Sequence, residues 1–439
     1  MTQTAQTSAQ TPTLARALKP RHVSMISLGG VIGAGLFVGS SAAIASIGPA
    51  VVISYALAGA IVLLVMRTIA ALAAALPQAG AFTDYPRIAL GRWAGFTAGW
   101  LYWYFWAIVI GIEAIAGAAI IGQWVALPSW VIGTGVMLLL TGSNLLSTRS
   151  YGEFEFWFST IKVVAIVLFI VACGAFVFGP GQAAVAPALL GDGGFAPMDW
   201  GAVLAGVTVV IFAMVGAEIV TVAAAEAEDS AALVARMAST LTLRISIFYI
   251  GAIFLITCIV PWRQVVPGQS PFAQALGVVG IPGAALLMNL LVLVAVLSCL
   301  NSAIYVASRA LFSLAGHGDA PRWVVAVNGR GVPARAILAC TLFGFLSVLA
   351  SELSPGGLFA FLVNASGAII IFIYLLTVAA AIKLGVGSGL LAWGRHVVLA
   401  GMLAVLLAMA LTPSLAVQLQ ASLASLALVL LAAWFSRRR

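Results

Sequence analysis

Lys162 lies deep in an apolar run, flanked by Ile161, Val163 and Val164. An ionised lysine at the centre of a membrane-spanning helix costs at least about 2.5–3.5 kcal/mol, so a lysine at that depth is functional by default. Burial penalises the charged amine, which suits a group that takes and releases one proton per cycle. The alternative is a side chain that snorkels to the head groups, but the apolar run begins near Phe156 and extends well beyond Lys162. Glu113 stands alone in Ile110-Gly111-Ile112-Glu113-Ala114. It must be protonated or face a watery cavity. It could recognise an ammonium group or transfer a proton, with a neutral helix-packing hydrogen bond as the plain alternative. Glu218 closes Phe212-Ala213-Met214-Val215-Gly216-Ala217-Glu218, which sets a glycine and a carboxylate inside another apolar run. It could bond an unwound backbone or shuttle a proton, and a purely structural polar network is the competing reading.

Such groups need elements that place them together. The stretch Gly29-Gly30-Val31-Ile32-Gly33-Ala34-Gly35-Leu36-Phe37-Val38-Gly39 sits inside an apolar run from about Val23 to Ile47. Each glycine costs a helix roughly 1 kcal/mol relative to alanine, so helix is easily undone here. Backbone that leaves the helical pattern at bilayer depth must face protein or a cavity, because lipid offers it no partner. Close helix packing through small residues is the plain alternative. The Gly216–Glu218 interruption tips the balance, since paired broken helices in two inverted halves point to a transporter with its site near the midplane.

The chain of 439 residues is 63% hydrophobic and 7% charged, with mean hydropathy +1.17. A soluble domain carries about 25% charged residues, so the chain reads as an all-α polytopic membrane protein. Spans of about 20 apolar residues fall near 24–46, 50–76, 96–123, 130–147, 156–178, 198–224, 241–261, 284–314, 335–351, 357–383, 396–412 and 415–435, twelve in all. With a cytoplasmic N-terminus, the inside segments collect Arg16, Lys19, Arg21, Arg87, Arg92, Arg149, Arg236, Arg322, Arg330, Arg335, Lys383, Arg395 and Arg437 to Arg439, against Arg263 alone outside. The positive-inside rule then places both termini in the cytoplasm of a multi-pass protein. The net charge of +8 therefore reflects membrane orientation and gives no nucleic-acid signal. Residues 1–22 read as a cytoplasmic tail, 23–383 as a ten-helix core and 384–439 as two accessory helices with a basic end; that pair carries almost no polar residue and reads as lipid-facing or dimer-facing. Cys173, Cys258, Cys299 and Cys340 lie scattered in apolar runs, so neither a disulfide framework nor a metal site is indicated, and no cofactor is implied.

The runs GGVIGAGLFVGSSAAIASIGPA (29–50), GEFEFWFSTIKV (152–163), FAMVGAEIVTVAAAE (212–226), RISIFY (244–249) and SCLNSAIYVASRALFSLAGHGDAP (298–321) resemble the bacterial amino-acid permeases. These form the amino acid transporter branch of the amino acid–polyamine–organocation superfamily. The last of these runs looks closest to the γ-aminobutyrate (GABA) permeases. The resemblance implies a LeuT-type fold of five helices repeated inverted, about 23–178 and 198–383, plus two more. It also implies proton-coupled amino-acid uptake at the cytoplasmic (inner) membrane. Lys162 matches the family's fifth-helix lysine, which in relatives fills the space of a structural sodium ion beside the first helix, and Glu113 matches a third-helix glutamate. Lys162, Glu113 and Glu218 are thereby the proton-coupling candidates.

On this reading the Ala34 and Gly35 amides, approached past Gly33 and Val31, hold the substrate carboxylate. The Phe212 and Val215 carbonyls beside Gly216 take the ammonium, and the Phe212 ring covers the site. Asn301, Ser302 and Ser366 are further pocket groups, with Asn364 and Gly367 near the distal part of the substrate. Glu153 and Glu155 read as helix-start charges, Glu226, Glu228 and Asp229 as a solvated cluster, Arg309 and Asp319 as an inner-face pair or anchor, and His22, His317 and His396 as bystanders. The sequence departs from the family in lacking acidic residues from Ala70 to Leu76 and in carrying Ala231 where a proline is usual. Beside the transporter stand a non-transporting amino-acid sensor and an intramembrane enzyme. The enzyme lacks any HExxH, GxSxG or phosphate-binding loop. Within the transporter reading GABA leads, with neutral, aromatic or basic α-amino acids as alternatives.

Overall fold

The computed structural model describes residues 17–79, 81–179, 189–191, 193–227, 230–387 and 389–436, apart from a few side chains within helices. Most of the expected tail, Glu228, Asp229 and the final three arginines lie outside the described residues. Eleven described helices are long and apolar enough to cross a bilayer. They correspond to the first five and last six expected spans. The sixth expected span is two pieces, α8 (Asp199–Met214) and α9 (Ile219–Ala224), neither of which reaches that length alone. The chain is a multi-pass membrane protein whose sixth run is broken where glycine and glutamate interrupt it.

The first span is broken as well. Helix α1 (Pro20–Val31), with proline at its first turn where no N–H is needed, gives way to two bent residues and a π-helical turn, Gly35–Gly39, before α2 (Ser40–Ile47). There follow α3 (Val51–Ala75), the short α4 (Asp84–Leu90), α5 (Arg92–Ile121), α6 (Ser129–Leu146) and α7 (Thr148–Phe178). Beyond α9 come α10 (Ser230–Ile259), the short α11 (Pro271–Val279), α12 (Ala284–Gly316), α13 (Ala334–Ser351), α14 (Pro355–Ser366), α15 (Ile369–Lys383), α16 (Leu390–Leu411) and α17 (Pro413–Ser436).

Two boundaries differ from expectation and matter for the site. Helix α7 starts at Thr148, eight residues before the expected 156, because Ser147 caps it by accepting the Ser150 N–H at 3.0 Å. The tenth span is interrupted at Gly367-Ala368. There the Ala368 N–H leaves its own helix and donates to Ser422 Oγ of α17 at 3.0 Å.

Helices α5 and α12 run side by side through the middle, and α1 packs on α7. The outward faces of α7, α13 and α16 carry exposed Leu168, Val171, Leu342 and Leu407, which is how helices meet lipid. Leu18 pairs with Ala227 in an isolated parallel bridge, and Arg92 reaches the Ser436 carbonyl, so both described ends of the chain lie at one end of the bundle, here the terminal end.

Candidate functional site

A helix ending in mid-membrane leaves its last carbonyls without intrahelical donors. At the end of α1, the Leu28 carbonyl takes the Ile32 N–H at 3.3 Å, and the Gly29 carbonyl takes the Lys162 ammonium at 2.5 Å. The cation thus sits on the negative pole of the broken helix, where the macrodipole favours it. Gly29 is required for this approach, since a Cβ would fall on Ser159 and Glu155. Tyr249 of α10 reaches one carbonyl at each break, and Val31 O also accepts the Gly33 N–H at 3.0 Å. The Tyr249 Oη lies 2.9 Å from Val31 O and 3.1 Å from Ala213 O, joining the ends of α1 and α8 through one hydroxyl.

The second break is held by its own carboxylate. The Gly216 N–H donates to Glu218 Oε2 at 3.1 Å, and Tyr374 of α15 donates to the same oxygen at 2.8 Å. Gly216 has φ +114°, and a Cβ there would lie 2.7 Å from the Gly30 carbonyl oxygen, so the two interruptions touch at paired glycines. Glu218 is fully buried, and its Oε1 has no hydrogen-bond partner among the described residues.

Between the breaks lies a chamber of about 40 Å³. Val31, Gly33 and Gly35 line it from the first span, Trp106 and Glu113 from α5, Val215 from the α8–α9 break and Cys299 from α12. Glu113 is buried, and its Oε2 has no hydrogen-bond partner among the described residues. It lies beside Gly33, 3.7 Å from where a Cβ would stand. On the side away from the terminal end, a vestibule of about 930 Å³ opens past Ala34 and Val38 to Gln123, Asn289 and Glu352.

Several expectations need correction. Glu155 is no exposed helix-start charge: the early start of α7 carries it two turns inside, where it is fully buried. Ser298 Oγ donates to its Oε1, Ser159 Oγ does so at 3.2 Å, and Lys162 Nζ is 4.0 Å away. Lys162 also donates to Ser298 Oγ at 2.7 Å, so Ser298 bridges the pair. Asn301 and Ser302 do not reach the chamber. The turn of α12 after Cys299 swings them toward the terminal end, Asn301 to the Asn144 amide at 2.8 Å and Ser302 to Tyr151 Oη at 3.1 Å. Ser366 turns back on the Val363 carbonyl of its own helix at the tenth-span break. Ala34 lines the vestibule and Gly216 packs behind the chamber, while the Phe212 side chain lies outside the described residues.

The terminal end is shut by buried polar contacts. Glu226, expected to be solvated, is 1% exposed. It accepts from Arg309 Nε at 2.7 Å, Tyr305 at 3.0 Å and Thr148 at 2.7 Å. Arg309 therefore does not pair with Asp319, which binds Arg87 and Arg92 instead. His22 is no bystander either: it is buried with its Nε2 3.1 Å from Glu153, which Arg21 also holds. Nor are the last two helices merely lipid-facing, since Ser422 is buried at the α14–α15 break.

Broken helices meeting at a small chamber, with a vestibule on one side and closed polar contacts on the other, define a membrane carrier. The chain belongs to the amino acid permease family, whose model, described as Amino acid permease, matches residues 22–438. It is 46% identical over 375 residues to the γ-aminobutyric acid permease of Bacillus subtilis, covering 84% of this chain and 80% of that one. It is 43% identical to the γ-aminobutyric acid permease of Escherichia coli, covering 86% and 82%. To the aromatic amino acid transport protein AroP of Corynebacterium glutamicum it is 39% identical, covering 84% and 82%. The family is one of transporters, and an amino acid is its substrate.

Proposed function

We propose that this permease imports 4-aminobutyrate across the cytoplasmic membrane by proton-coupled alternating access, with both termini cytoplasmic. Residues 23–383 would then form the ten-helix core of two inverted repeats. The observation that carries the proton reading is the Lys162 ammonium on the Gly29 carbonyl at the end of α1. A proton on that amine clamps the broken helix, and its loss weakens the clamp, so protonation biases one conformation over another. The arrangement of a vestibule open away from the terminal end and polar contacts closed on the terminal side corresponds, in this orientation, to the outward-facing state.

The Ala34 and Gly35 amides, at the start of the second half of the broken span, receive the substrate carboxylate. The ammonium goes to Glu113, whose buried Oε2 has no hydrogen-bond partner among the described residues, with the Phe212 and Val215 carbonyls as further acceptors. Relatives named for γ-aminobutyric acid at 43–46% identity support that substrate. The relative named for aromatic amino acids raises a second reading, which competition by aromatic amino acids separates from the first.

Uptake of labelled 4-aminobutyrate into proteoliposomes, with and without an imposed pH gradient and against a panel of competing amino acids, tests the whole reading. Accumulation should follow the inward proton gradient. Lys162→Met should abolish accumulation while leaving binding measurable. Gradient-driven accumulation by that variant at the wild-type level removes Lys162 from the mechanism.

A further inference from the structure

We infer that Glu155 is the acceptor for the Lys162 proton, and that Ser298 relays it toward the terminal end along a route the substrate does not share. The inference rests on the proton-coupled reading above and assigns that reading its exit path.

Thr148, Tyr151, Glu155, Ser159 and Lys162 recur at steps of three and four, so they form one stripe along α7. Ser298, Ser302, Tyr305 and Arg309 form the facing stripe on α12, and all nine side chains are buried. The stripe leaves the chamber at Lys162 and Cys299 and ends at the closed terminal contacts. Lys162 Nζ donates to Ser298 Oγ at 2.7 Å, and Ser298 Oγ donates to Glu155 Oε1. One turn further, Tyr151 Oη lies 3.1 Å from Ser302 Oγ. Its ring stacks on Tyr305 with centroids 4.2 Å apart, and Tyr305 Oη donates to Glu226 Oε1 at 3.0 Å.

The transfer balances within three side chains. An Nζ–H bond of the ammonium breaks and its proton goes to Ser298 Oγ. The proton that Ser298 held passes to Glu155 Oε1. A buried cation and anion become a neutral amine and a neutral carboxylic acid, with no charge stranded in the membrane interior. The neutral amine binds the Gly29 carbonyl less strongly, so the transfer also loosens α1. Glu113 and Cys299 face Lys162 from the chamber side, and Tyr151, Ser159, Ser298 and Asn301 surround Glu155. Glu155 does not line the chamber, whereas Glu113 does. Glu155 Oε2 has no hydrogen-bond partner among the described residues, with Asn301 beside it.

The test compares net uptake with exchange, using labelled 4-aminobutyrate in proteoliposomes. Exchange of external label for internal unlabelled substrate needs no net proton release. Glu155→Gln retains the acceptor oxygen toward Ser298 and cannot take a proton. It should lose at least 90% of gradient-driven uptake and keep exchange within twofold of wild type. Ser298→Ala should show the same split, and Ser298→Thr, which restores the hydroxyl, should recover uptake. Glu155→Gln with the wild-type uptake rate and pH profile overturns the relay. Equal loss of uptake and exchange in that variant also overturns it and leaves Glu155 a packing residue. A wild-type protein that exchanges but ignores the pH gradient removes the proton-coupled reading itself, which is a distinct result.

Discussion

Consider Glu226→Gln. The glutamate is 1% exposed and Arg309 is 5% exposed, with the guanidinium also 4.0 Å above the Tyr305 ring. Removing one partner of a buried ion pair costs about 3–5 kcal/mol, because the other charge stays buried without compensation. Glutamine keeps one acceptor oxygen, which can still receive Arg309 and Tyr305 while its amide nitrogen turns to Thr148, so the expected cost lies near the lower figure, about 3 kcal/mol. The pair joins the segment after α9 to α12 across the closed terminal end, so opening that end separates it and the cost falls on the closed state alone. At about 1.4 kcal/mol per factor of ten, the closed-to-open ratio should drop by about 100-fold. Ser302→Cys, in a background with the four natural cysteines replaced, gives the readout, since position 302 is fully buried in the closed arrangement. Labelling by a membrane-impermeant maleimide from the terminal side should accelerate by roughly that factor. A lowered melting temperature with unchanged labelling would refute the reasoning, because it would show the pair intact in both conformations.

Three further outcomes follow from the same geometry. Gly216→Ala places a Cβ 2.7 Å from the Gly30 oxygen at φ +114°, a backbone strain of order 1–3 kcal/mol before the clash is counted; transport should fall at least about tenfold, and wild-type rates would show that the two breaks are not in contact. Tyr249→Phe removes the hydroxyl that ties Val31 O to Ala213 O and leaves Val31 O with the Gly33 N–H; it should lower stability by about 1 kcal/mol, read as a fall in melting temperature in detergent, and an unchanged melting temperature would mean that the hydroxyl does not hold the two helix ends together. Glu113→Gln should raise the KM for 4-aminobutyrate and flatten the pH dependence of uptake, and unchanged kinetics and pH profile would return Glu113 to a packing role.

Much of this was legible in the chain itself. Apolar runs gave the spans, a cluster of glycines marked the first break, and a glycine beside a mid-run carboxylate marked the second. Lys162 declared itself by its depth. Glu155 did not, because with the span beginning near Phe156 it reads as a helix-start charge until the Ser147 cap moves the start of the helix back to Thr148. Its separation of seven from Lys162, two helical turns on one face, was the available signal. Glu226 was lost among Glu228 and Asp229, and what buries it is Arg309, 83 residues away, a pairing no local pattern reveals. Asn301 and Ser302 carried the right polarity on the right helix. The rotation of α12 that turns them from the chamber is a packing property. Tyr249 lay within a recognised motif run, yet its hydroxyl gains meaning only once two helix ends converge on it.

The bond from Ala368 to Ser422 limits how far this protein can be trimmed. A chain stopping after ten helices would turn that amide toward hydrocarbon, where nothing replaces a lost donor–acceptor contact. A shorter carrier of this design would need a hydroxyl or a trapped water at the same spot, or an unbroken tenth helix. The last helix is thereby wired into the core, although about half of its residues stay exposed on the outside of the bundle.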